Sequence, residues 1–72
     1  MRRTSMPLRV FVNGEATQTS AGTLAELLVQ LGFTETGVAT AVNGDFVRRQ
    51  ARESHVLVCD DKIEIVSPRQ GG

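Results

Sequence analysis

The sequence predicts an α+β fold, a mixed sheet of four or five strands with one helix packed across one face. Three observations carry that prediction. Two Asn-Gly pairs each divide short alternating runs, a capping box opens into a single leucine stripe, and a β-branched run follows an acidic turn near the C-terminus. One domain accounts for all of it, because a chain of 72 residues buries only about 60% of its unfolded surface. No covalent or metal staple is available. With one cysteine, Cys59, and one histidine, His55, an intrachain disulfide is impossible and a protein-only zinc site is not expected. Stability must come from a patterned apolar core, which the 40% of apolar residues, valine foremost, can supply.

The elements follow in order. Leu8-Arg9-Val10-Phe11-Val12 alternates, with Leu8, Val10 and Val12 on one face. Asn13-Gly14 then supplies the two positive-φ positions of a type I′ turn, and Glu15–Thr19 is the returning strand, polar enough to keep one face in water. Thr23-Leu24-Ala25-Glu26 is a capping box in which Thr23 caps the third N–H and Glu26 reaches back. Leu24, Leu27, Leu28 and Leu31 recur at helical spacing, and Gly32 suits a left-handed C-terminal cap, so a helix runs over Leu24–Leu31. A helix of that length needs a sheet to pack on.

Gly37–Val42 reads as a strand, and Asn43-Gly44 turns it into the brief strand Asp45-Phe46-Val47. Arg48–Ser54 shows neither period and is expected to be loop with one helical turn. His55–Val58 precedes an acidic turn at Cys59–Lys62, where adjacent Asp60 and Asp61 suit turn geometry. Ile63–Val66 is the last strand, with Ile63 and Ile65 facing one way, and Pro68 ends strand pairing. Hairpin, helix, hairpin, irregular segment, strand is the order of the β-grasp, or ubiquitin-like, architecture. Residues 1–6 are expected to be a flexible N-terminal tail, with Met6 a second possible start, and residues 67–72 a flexible C-terminal tail.

Charge and targeting exclude several roles. Eight Lys+Arg balance eight Asp+Glu, which argues against an electrostatic nucleic-acid or membrane binder. Arg2 and Arg3 resemble the start of a signal peptide, but Arg9 and Asn13 interrupt any apolar run that follows. No stretch approaches the ~20 apolar residues of a membrane span. A reducing cytoplasm is the expected setting, with neither membrane nor nucleic acid as partner.

No catalytic set stands out either. The sequence shows no persuasive serine–histidine–acid grouping, no phosphate loop and no metal-ligand cluster. His55 reads as a half-exposed strand-end residue. Cys59 has two carboxylates as sequence neighbours and no adjacent cation that would activate it as a nucleophile. The informative feature is the terminal Gly71-Gly72. By chance two such glycines end about 0.5% of chains, and they follow a strand and a Pro-containing spacer. A side-chain-free tail can thread a narrow channel, where its α-carboxylate meets a reagent without a Cβ clash. The reactive group would then be the Gly72 carboxylate, which needs no catalytic side chain in this chain.

Three stretches, Thr23–Leu28, Ala41–Val47 and Ile63–Gly72, closely resemble the ThiS family, the sulfur carriers of thiamine biosynthesis. The resemblance spans nearly all of Leu8–Gly72, and Pro68-Arg69-Gln70-Gly71-Gly72 is its most specific part. The chain departs from the family where Val-Pro-Arg is common and it has Val47-Arg48-Arg49, where an aromatic often follows and it has Ala51 or its neighbours, and where Asp-Gly-Asp is common and it has Cys59-Asp60-Asp61. The last change puts Asp60 at a turn glycine, and aspartate enters the left-handed region more readily than most residues.

The resemblance implies a carrier rather than an enzyme, a monomer when free, with no bound cofactor or metal. A ThiF-type adenylyltransferase would use ATP to convert the Gly72 carboxylate to an acyl adenylate. Sulfur derived from cysteine, supplied by a donor such as a cysteine desulfurase, would displace AMP and leave a thiocarboxylate, a covalent 1-thioglycine at Gly72. A ThiG-type thiazole synthase would accept that sulfur. Gly71, Gln70 and Arg69 would thread the partner's active site. Phe11, opposite Leu8, Val10 and Val12, and Phe46 are candidate docking residues. The alternative for Phe11 is closure of a second core under residues 48–54.

Three rival readings stand beside this one. The small subunit of molybdopterin synthase also ends in Gly-Gly, although the short chain and Pro68-Arg69-Gln70 favour the thiamine carrier. An S4-like RNA-binding module would use Arg48, Arg49 and Arg52, but the expected hairpin at Leu8–Thr19 and the zero net charge speak against it. The third is a ubiquitin-like interaction module whose tail is never activated.

Overall fold

Two Asn-Gly turns shape the sheet, and both have the backbone their sequence requires. Asn13 and Gly14 have φ of 51° and 86°, and Asn43 and Gly44 have φ of 53° and 88°, the left-handed values of a type I′ hairpin. The computed structural model describes residues 7–33 and 37–67. Strands β1 (Leu8–Val12) and β2 (Glu15–Thr19) flank the first turn, and β3 (Ala39–Val42) and β4 (Asp45–Val47) flank the second. Helix α1 (Leu24–Leu31) joins the hairpins, and β5 (Lys62–Val66) completes the sheet. The tail assignments 1–6 and 67–72 lie outside the described residues except at Ser67, which follows β5.

The strand order is β2-β1-β5-β3-β4, so the last strand in sequence lies in the middle. It runs parallel to β1, with Phe11 opposite Lys62 and Val12 opposite Ile63. It runs antiparallel to β3, with Ala39 opposite Val66 and Val42 opposite Ile63. A mixed five-stranded sheet with one helix is the β-grasp fold. Strand alternation sends Val10, Thr40, Val42, Val47, Ile63 and Ile65 to one side, where they are buried with Leu24, Leu27 and Leu28 of the helix. Val10, Leu24 and Leu27 have no exposed surface, and burying a side chain of this size contributes about 1.5–3 kcal/mol.

The helix ends follow the sequence with one change. Thr23 accepts from the Glu26 N–H, and Gly32 closes the helix with φ of 89°. The Glu26 carboxylate reaches back one residue further than a capping box requires and takes the Gly22 N–H at 2.7 Å. The approach to the helix is fixed from across the chain, where Leu24 N–H donates to His55 O and Leu57 N–H to Gly22 O, a single bridge of Thr23 with Val56.

The last strand begins at Lys62, one residue before the expected Ile63, and three further segments differ from or sharpen the sequence expectation. The strand expected over Gly37–Val42 begins at Ala39, and Val38 is buried just before it. Residues 48–54 form a 3₁₀ helix, Arg49–Ser54, packed against α1. His55–Val58 forms no strand beyond the bridge at Val56. At the acidic turn Asp60 has φ of 71°, the left-handed conformation expected there. Asp61 is buried, and its carboxylate accepts from Asn43 Nδ2 and Val58 N–H, each at 2.9 Å.

Candidate functional site

The sequence placed the reactive group on Gly72 and the threading segment on Gly71, Gln70 and Arg69. These four lie outside the described residues, but the strand that leads to them is fully described. On one side the last strand residue, Val66, pairs with Ala39. On the other side β1 has already turned away, and the Asn13 side chain takes its place. Asn13 Oδ1 accepts the Ile65 N–H at 2.9 Å, and Nδ2 donates to Ile65 O at 3.2 Å. A carboxamide presents a carbonyl acceptor and an N–H donor with the spacing of a peptide group, so it completes a ladder that its own backbone has left. Asn43 serves the other end of β5 with its oxygen alone: Oδ1 accepts the Lys62 N–H at 3.0 Å, while Nδ2 donates to the Asp61 carboxylate. Sequence reasoning used both asparagines for φ alone. The missed signal was the choice of Asn at both first turn positions.

The face of the sheet away from the helix is uncovered by the described residues. Alternation puts Arg9, Phe11, Lys62, Glu64, Val66, Ala41 and Phe46 there. Phe46 is 72% exposed and Val66 60%. Phe11 is half-buried in an open cleft of about 280 Å³ lined by Gly14, Lys62, Ile63 and Glu64. The Arg9 guanidinium lies 5.5 Å from its ring centroid and is held there by Asp60, with Nε and Nη2 at 3.1 and 2.9 Å from Oδ1. Since the 3₁₀ helix packs on the α1 side, Phe11 does not close a second core beneath residues 48–54. Phe11 and Phe46 therefore share one face that also carries Val66, the last residue of the strand leading to the tail.

The other residues considered for chemistry stand apart. Cys59 is exposed. His55 is half-buried, and its N–H closes the 3₁₀ helix on Arg52 O at 3.3 Å. Arg52 is a buried cation: Nη2 donates to Val38 O at 2.7 Å and Nε to Thr40 Oγ1 at 3.0 Å. Burial holds its pKa below the ordinary arginine value, and the nearby charge of Arg49 adds to the shift. Among the described residues, no three His, Cys, Asp or Glu side chains converge as a metal site, and no helix is long and apolar enough to cross a membrane.

Comparison with known proteins agrees with this geometry. Residues 8–72 match the model of the ThiS family. No functionally curated protein matches the chain. A crystal structure of the thiamine biosynthesis protein ThiS from Geobacter metallireducens is similar over 90% of this chain and 100% of its own, at 25% identity and a TM-score of 0.74. The chain belongs to the ThiS family.

Proposed function

We propose that this protein is a sulfur carrier in thiamine biosynthesis whose reactive group is the Gly72 carboxylate. The observation that carries the reading is the family match, which runs from β1 through the terminal glycines. Family membership also makes biosynthetic enzymes the partners. A body without a catalytic constellation among its described side chains suits a protein that others act on.

The chemistry proceeds in two steps. A ThiF-type adenylyltransferase transfers AMP from ATP to the Gly72 carboxylate, with pyrophosphate leaving. A sulfide-level nucleophile derived from cysteine then attacks the acyl carbon, and the C–O bond to AMP breaks. The product is the thiocarboxylate, whose sulfur passes to a ThiG-type thiazole synthase. AMP leaves far more readily than oxide, which is what activation achieves. Gly71, Gln70 and Arg69 form the reaching segment, and the Phe11–Phe46 face is the docking surface. It flanks the strand that feeds the tail, so docking and threading are aligned by one rigid element.

Intact mass after co-expression with an adenylyltransferase and a sulfur source tests the proposal. The expected result is the gain of sulfur for one oxygen, absent from a chain lacking Gly72. An unchanged mass under conditions that convert another ThiS would overturn it.

A further inference from the structure

We propose that the outer edge of β4 binds an extended acidic peptide segment of a partner protein as an added strand. The proposal stands apart from the sulfur-carrier reading, because it concerns neither the tail nor the Phe11 cleft.

Three observations converge on this edge. β4 is the last strand of the sheet, and its register with β3 sets Val42 opposite Asp45 and Ala41 opposite Phe46. In a two-residue hairpin the pair flanking the turn exchanges both hydrogen bonds and the next pair exchanges none. The Phe46 N–H and C=O consequently point outward, free to bond an incoming backbone. A groove of about 550 Å³ wraps this edge, lined by Phe46 on the open side and by Val47, Ala51 and His55 on the other, with Asp45 and Arg48 at its ends. A strand laid along the edge would alternate its side chains between those two sides, as added strands do.

Charge selects the occupant. Arg48, Arg49 and Arg52 fall within five positions, and the ion pair formed among the described residues is that of Arg9 with Asp60, elsewhere on the molecule. Arg48 and Arg49 are exposed, whereas Arg52 is committed to Val38 and Thr40. A second copy of the chain would bring its own Arg48 and Arg49 to the edge together with Asp45, whereas an acidic segment brings carboxylates alone. The apolar floor of Phe46, Val47 and Ala51 suits aliphatic side chains better than nucleotides. Antiparallel addition, the better-bonded arrangement, places the acidic residues at the N-terminal end of the peptide, opposite Arg48.

The test uses the free, ¹⁵N-labelled protein. The probe is an N-acetylated, C-amidated hexapeptide of aspartate, glutamate, valine, isoleucine, valine and serine. Saturable amide shifts are expected at Phe46, Val47, Arg48 and Ala51. They should weaken steeply as ionic strength rises from about 0.01 to 1 M, which shortens the screening length from about 30 to 3 Å. Arg48→Glu, at an exposed position, should raise Kd about tenfold or more with an unchanged spectrum elsewhere. Four results would overturn the proposal: no saturable shift; equal binding of a peptide with lysines in place of its acids; β4 shifts that appear with protein concentration alone; or stronger shifts of the same amides by a short single-stranded RNA.

Discussion

Replacing Thr40 by valine isolates the buried cation from its one side-chain partner. Thr40 is 2% exposed. Its hydroxyl donates to Val47 O at 2.8 Å and accepts from Arg52 Nε at 3.0 Å. Thr40→Val keeps the shape but removes both bonds. The neutral bond is worth about 1 kcal/mol, and the bond from a charged donor about 1.5–3 kcal/mol. The added methyl returns up to about 0.8 kcal/mol. The expected loss is about 2–3 kcal/mol, or about 10–20 °C in Tm for a domain of this size. Far-UV circular dichroism in urea is the suitable probe, since the chain contains neither tryptophan nor tyrosine. Adding Arg52→Leu removes the stranded donor, so the double variant should be at least about 1 kcal/mol more stable than the two single losses predict. A Thr40→Val change under about 0.5 kcal/mol, or full additivity, would refute the view that Thr40 satisfies Arg52.

Three further outcomes are expected. Phe11→Ala should raise the KM of the adenylyltransferase for the carrier with kcat unchanged, while the urea midpoint falls only slightly because Phe11 lies outside the core; a collapse of stability would remove it from the docking surface. Asn13→Ala should cost about 2–3 kcal/mol in urea denaturation, from a left-handed φ of 51° and two lost bonds to Ile65, whereas Asn13→Gly, which keeps the backbone, should lose about half as much; equal losses would contradict this division. Asp60→Gly should be neutral within about 0.5 kcal/mol by the same measure, because relief at φ of 71° offsets an exposed ion pair worth about 0–1 kcal/mol.

Local patterns in this chain predicted local structure well. The strand ends at Leu8, Val12, Glu15 and Thr19 and the helix from Leu24 to Leu31 coincide with expectation, because each is bounded by a turn or cap with its own steric demand. The segment 48–58 was less legible. Its 3₁₀ helix depends on Arg52 reaching Val38 and Thr40, more than ten positions away in sequence, and no short-range period records such a contact. The bridge of Thr23 to Val56 is hidden for the same reason. At the candidate site, the alternation that set Phe11 opposite Val10 and beside Arg9 was readable, but its company with Asp60 and Phe46 depends on the tertiary fold. Both asparagines were legible as turn formers. Their second use, on the backbone of β5, needed the neighbouring strand to be located first.

The central position of β5 has a mechanical consequence. A partner that draws the C-terminus into a channel pulls along this strand, which is bonded to β1 on one side and β3 on the other. Such a load acts in shear on several hydrogen bonds together, whereas an edge strand could be peeled away one bond at a time. Asn13 and Ala39 grip Ile65 and Val66, the residues that would feel the force first. On the proposed function, a pull on the chain's end would therefore leave the body folded.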